Sequence, residues 1–85
     1  MITNHQIKKE IYTIIGKGPY GPALNDTVNE AALKKSLFSK YNYDLSADEI
    51  NSIADELVDT GNFHWDDDGK LALSANGVTY LENSR

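Results

Sequence analysis

The sequence predicts one small domain of the α+β class, mainly α with a single β-hairpin, in the order helix, loop, helix, helix, hairpin, helix. Three observations carry this reading. Apolar residues recur at helical spacing in three separate stretches, each opened by a capping pattern. Apolar residues alternate on either side of the turn Asp66-Asp67-Asp68-Gly69, as paired strands require. The 85 residues, with 40% apolar and 25% charged, suit one folded core rather than two cores or a disordered chain. Residues 1–85 therefore read as a single domain.

The first helix is expected over about residues 4–15. Thr3 and Gln6 have capping-box spacing, and Ile7, Ile11, Ile14 and Ile15 form a stripe. Gly16 ends the helix as a C′ glycine would. Residues 16–22 hold three glycines and two prolines, which forces a loop. Its length leaves room for a short strand near Ala23-Leu24. Thr27 and Glu30 form a second capping pattern, and a second helix follows over about 28–40 with Leu33 and Leu37 inward.

The third helix has the strongest pattern. Ser46 and Glu49 make its capping box, Ile50, Ile53, Ala54, Leu57 and Val58 fall on one face, and Gly61 closes it. Phe63, Trp65, Leu71 and Leu73 place the hairpin, and Trp65 is expected in the core beside Phe63. Ser74 caps a last helix to about Asn83, and Gly77 inside it is expected to loosen its first turn. The expected core is Ile7, Ile11, Ile15, Leu33, Leu37, Ile50, Ile53, Leu57, Phe63, Leu71, Leu73 and Leu81.

Several function classes drop out on composition. The chain has no cysteine, which removes disulfides, thiolate metal sites and cysteine nucleophiles. No apolar run is long enough to cross a membrane, and the N-terminus has no charged-then-apolar leader, so the expected location is the cytoplasm. The string Gly16-Lys17-Gly18-Pro19-Tyr20-Gly21 matches G-x-G-x-x-G but lacks the strand before it and the helix after it that dinucleotide binding needs. His64, Asp66 and Asp68 before Gly69 look faintly like a calcium loop, yet His64 and Ala75 fall where oxygen ligands belong. His5 and His64 have no ligand or triad spacing around them. A chain this short is expected to have no pocket of about 300 Å³ or more. The expectation is a non-enzyme with no cofactor and no metal.

Charge is the informative feature. The formal net charge is −5. Residues 1–45 hold six lysines against four acids, giving +2, and residues 46–85 hold two cations against nine acids, giving −7. From Ser46 to Gly69 there are eight acids and no lysine or arginine. Such a dipole steers one kind of partner and disfavours another.

The segment Leu73-Ser74-Ala75-Asn76-Gly77-Val78-Thr79-Tyr80-Leu81, following a short hairpin, is similar to the L-[ST]-x-x-G-x-x-[YF]-L ending of many bacterial winged-helix proteins. With the element order, residues 46–82 resemble the winged helix-turn-helix fold. The resemblance implies a recognition-type third helix, a wing formed by the hairpin, and DNA binding through both. It would point Asp48, Asn51, Ser52 and Asp55 at the major groove, where Asn51 and Ser52 could read bases. Acids there, and Asp66, Asp67 and Asp68 at the wing tip, oppose a polyanion whose binding depends on lysine and arginine.

Two expectations follow. The first is a regulatory or interaction module that presents Asp48, Asn51, Ser52, Asp55, Glu56, Asp59, Asp66, Asp67 and Asp68 to a basic partner protein, in the extreme as an imitation of a nucleic-acid backbone. Tyr20, Tyr43 and Trp65 are candidate aromatic anchors. The alternative is a DNA-binding transcriptional regulator that docks through Lys8, Lys9, Lys34, Lys35 and Lys40 instead of the recognition helix. The sequence leaves room for a homodimer.

Overall fold

The computed structural model describes residues 2–16 and 21–83. Four helices and one antiparallel hairpin follow in order: α1 (Asn4–Ile15), α2 (Glu30–Tyr41), α3 (Ala47–Asp59), β1 (Phe63–Trp65), β2 (Leu71–Leu73) and α4 (Ala75–Asn83). The class is mainly α with a small hairpin, as the sequence predicts.

Helix starts are set by side chains that satisfy orphan backbone donors. Thr3 and Gln6 form a reciprocal capping box on α1, and Ser46 and Glu49 form one on α3. The second expected box is not used. α2 starts at Glu30 on an Asn29 cap, whose Oδ1 accepts from the Ala32 N–H at 3.1 Å. Thr27 instead makes a β-bridge to Ala72. The Val28 N–H donates to the Leu71 carbonyl at 3.0 Å, and the Leu73 N–H to the Asp26 carbonyl at 2.8 Å. The extended stretch expected near Ala23-Leu24 therefore lies at Asp26–Val28, after a turn in which Asn25 has φ +68°, and β-branched Thr27 and Val28 suit a paired strand. Leu24 is exposed and sits in a turn. Gly16 ends α1 with φ −87°, not in the left-handed conformation expected of a C′ glycine. The remainder of the expected Gly/Pro loop, residues 17–20, lies outside the described residues.

β2 is thus paired on both edges, to β1 in the register Phe63–Leu73, His64–Ala72, Trp65–Leu71 and to Thr27 on the other side. This explains why all three of its residues are buried. Ala72 lies between His64 and Thr27 on the outer face, and the His64 ring Nε2 is 2.9 Å from Asn25 Oδ1. The inner face of the hairpin covers the helices. The core is Ile7, Ile11, Ile15, Leu33, Leu37, Leu45, Ile53, Ala54, Leu57, Phe63, Leu71, Leu73 and Leu81. Leu45 and Ala54 join the expected set, and Ile50 is only partly buried at its margin.

Trp65 is not a core residue: it is 43% exposed. The alternation that places it on the same side as Phe63 is real, but on the outer strand β1 it faces an open groove, while its pair Leu71 on β2 takes the core position. Phe63 packs on Tyr12 with ring centroids 5.4 Å apart, and Trp65 hangs beyond it. α4 is regular from Ala75, so Gly77 does not loosen its first turn. Ser74 ties that turn down, because its Oγ accepts from the Gly77 N–H at 3.2 Å and donates to the Gly61 carbonyl at 2.6 Å.

Candidate interaction surfaces

α3 displays its acids as the helical period requires. Asp48, Ser52, Asp55 and Asp59 follow one exposed stripe with Asn51 at its side. Asp48, Asp55 and Asp59 make no ion pair among the described residues. Glu56 lies at the stripe's edge and pairs with Lys8 of α1 at 3.2 Å. Glu49 is turned to local use: it closes the capping box and accepts a hydrogen bond from the Tyr43 hydroxyl. Tyr43 is half-buried and fixes the start of α3.

The hairpin acids divide in the same way. Asp66 is half-buried, and its Oδ1 accepts from the Asp68 N–H at 2.9 Å and the Lys70 N–H at 2.8 Å. It builds the turn, with Gly69 at φ +77° completing it. Asp67 and Asp68 are exposed at the tip. Between the tip and α3 runs a groove of about 580 Å³ bordered by Ile50, Asn51 and Ala54 on one side and by Trp65, Lys70 and Leu71 on the other. The exposed indole therefore faces Asn51, at the side of the acidic stripe, across this groove.

The five candidate lysines are not brought together. Lys8 pairs with Glu56. Lys40 reaches both oxygens of Glu10, at 2.9 and 3.1 Å, and Ser36 Oγ donates to the same carboxylate at 2.5 Å. Glu10 is buried between α1 and α2, 6% exposed. Lys34 and Lys35 remain exposed and without ion pairs among the described residues, on the face of α2 that also displays Phe38 and Tyr41. Lys9 is exposed on α1 beside a second groove. Tyr20, expected as an anchor, lies outside the described residues.

That second groove corrects the expectation that the chain has no room for a pocket. α1, α4 and the turn after α3 enclose about 750 Å³, within the usual range of ligand sites. The volume arises where three elements far apart in sequence diverge, so no local pattern announces it. Among the described residues no cluster of histidine and carboxylate side chains is placed to hold a metal ion, and no helix is long and apolar enough to cross a membrane. Comparison with known proteins finds no match: no protein family, curated protein or solved structure matches the chain.

The Tyr43–Glu49 contact makes a pH prediction. The Tyr43 hydroxyl, with added help from Ser46, holds the Glu49 carboxyl below its ordinary range, and Glu49 raises the Tyr43 hydroxyl in turn. A depressed carboxyl stabilises the fold above its unfolded value, about 4.3 for glutamate, and that contribution disappears as pH falls through the lower folded value. A raised tyrosine stabilises below its unfolded value, about 10, and is lost as pH rises through the folded one. Tyr43→Phe should flatten the stability profile on both limbs, measured by urea unfolding from pH 3 to 11. An unchanged acid limb would show that the contact contributes nothing.

Proposed function

We propose that the chain is a non-enzymatic, winged-helix-like interaction or regulatory module that presents α3 and the hairpin to a basic surface of a partner protein. The observation that carries this is the exposed stripe Asp48, Asp55 and Asp59, free of ion pairs among the described residues, with Trp65 exposed across the adjoining groove. Unpaired carboxylates steer a cationic partner and select against an anionic one. A half-exposed indole across the groove from Asn51 supplies apolar contact area of the kind that dominates interface energies. The winged-helix reading is supported by the order of elements and by the extended stretch Asp26–Val28 beside the hairpin.

The test is capture of proteins by the immobilised chain, with bound partners identified by mass spectrometry. The variant Asp48→Lys/Asp55→Lys/Asp59→Lys should reduce capture of basic partners about ten-fold or more, and Trp65→Ala should reduce it further. Glu56 is left untouched because its reversal would also break the pair with Lys8. Capture unchanged by the triple reversal would remove this face as the interface.

A second reading has one observation in its favour. Lys34 and Lys35 are exposed and interleaved with exposed Phe38 and Tyr41 on α2, a combination of phosphate-seeking charge and stacking rings. Under this reading the chain is a DNA-binding regulator docking through α2 and Lys9, with Lys8 and Lys40 engaged elsewhere. Binding to mixed-sequence duplex would weaken steeply with salt. Absence of binding at low salt would remove it.

A further inference from the structure

The groove between α1, α4 and the turn after α3 differs from the rest of the surface. The protein has 13 acidic residues, yet among the described residues no carboxylate lines this groove, while His5, Lys8 and Lys9 do. Its floor is aromatic: Tyr12 and Tyr80, the two rings packed with centroids 5.0 Å apart over the buried Leu57. It also has a directed polar group. The Asn62 amide donates to Tyr12 Oη at 3.1 Å, which leaves the hydroxyl proton to be donated elsewhere. No acceptor for that proton occurs among the described residues. Lys9 has no ion pair there, and the exposed Lys8–Glu56 pair is of a kind that contributes little and exchanges readily.

We propose that this groove is a binding site for a small organic anion with an aromatic-sized apolar body, a carboxylate or sulfonate. The anionic head is held by the Lys9 ammonium and the Tyr12 hydroxyl, with Lys8 adding charge. The body lies on the Tyr12 and Tyr80 rings. Charge complementarity selects the head, since the groove is cationic in a protein of net charge −5. The volume of about 750 Å³ accommodates a molecule of that size. The site is separate from the acidic stripe and does not depend on the function proposed for it.

The test uses the full chain and two dyes of nearly equal shape, 8-anilino-1-naphthalenesulfonate and its uncharged analogue N-phenyl-1-naphthylamine, followed by fluorescence. The sulfonate should bind saturably at one site and the neutral dye about ten-fold more weakly. Lys9→Gln and Tyr12→Phe should each weaken the sulfonate by about ten-fold, the loss of one charge-assisted hydrogen bond; the unfolding transition should stay unchanged in Lys9→Gln and cooperative in Tyr12→Phe, which also removes the acceptor of the Asn62 amide. Lys34→Gln/Lys35→Gln, on the remote α2 face, should have no effect. 2-Naphthoate should displace the dye. No saturable binding, equal affinity for the two dyes, or equal loss in the α2 variant would overturn the proposal. Displacement by an acidic tryptophan-bearing peptide but not by 2-naphthoate would also overturn it, assigning the groove to a peptide instead.

Discussion

Gly77→Ala is expected to destabilise the protein by about 3 kcal/mol, the upper end of what overpacking usually costs. A Cβ built on Gly77 would stand 2.1 Å from the Asn62 carbonyl oxygen and 2.4 Å from Leu73 Cδ1. The leucine methyl could rotate away, but the carbonyl is held by the Ser74 N–H at 2.9 Å and belongs to the turn that joins α3 to the hairpin. Helix propensity alone predicts the opposite sign, since alanine replaces glycine in a helix with a gain of about 1 kcal/mol. Thermal unfolding separates the two arguments: the steric one requires a fall of roughly 12–24 °C for a domain of this size, and a rise would refute it. Gly69→Ala is the control. That glycine has φ +77° and open space around it, so alanine there costs only the left-handed backbone penalty, about 1–2 kcal/mol.

The same residues show how far a sequence pattern reaches. Ser74-x-x-Gly77 is legible as a cap followed by a glycine, but its reason is tertiary: the cap ties α4 to the turn after α3, and the glycine lets that turn's backbone come close. α3 is legible in full because its capping box, apolar period and closing glycine agree. α2 is not, because Thr27 and Asn29 are both competent caps, and the choice is made by β2, which draws Thr27 into an extended pairing. Trp65 obeys strand alternation, yet alternation says which side a residue takes and not how far the core extends beneath it.

The acidic surface was largely readable. An exposed stripe on α3 follows from the helical period, so Asp48, Asn51, Ser52, Asp55 and Asp59 lie where the pattern puts them. The local duties of Glu49 and Asp66 do not follow from charge counting, because each is set by which N–H or O–H donors the chain brings within reach. Among the lysines, the count overstates the basic face, since Lys8 and Lys40 are held by carboxylates from other helices. The partner of Lys40 did leave a trace. Glu10 falls three residues after Ile7 and four before Ile14, on the stripe that α1 buries, and a carboxylate in that position requires a counter-charge from a neighbouring element.

That requirement makes the Lys40 side chain structural. Lys40→Met is expected to cost about 2 kcal/mol, below the roughly 3–5 kcal/mol typical of breaking a buried pair because Lys40 is itself half exposed. The cost arises from the carboxylate of Glu10, 8% exposed at its side chain, facing the apolar methionine instead of an ammonium. Glu10→Leu should behave differently. Lys40 then returns to water at little expense, the leucine joins Ile7 and Ile11 in the core, and the loss is held to about 1 kcal/mol, that of the half-buried Ser36 hydroxyl left without its Glu10 acceptor. The double variant Glu10→Leu/Lys40→Met should be no less stable than Glu10→Leu alone, giving a coupling of about 2 kcal/mol in a double-mutant cycle read by urea unfolding. Equal costs for the two single changes would mean that the pair stabilises the fold outright and the asymmetry argument fails. The expected result also separates fold from contact in any binding assay: a loss of DNA binding in Lys40→Met would report a weakened α1–α2 interface, whereas Lys34→Gln and Lys35→Gln, whose side chains are exposed and unpaired among the described residues, report the surface itself.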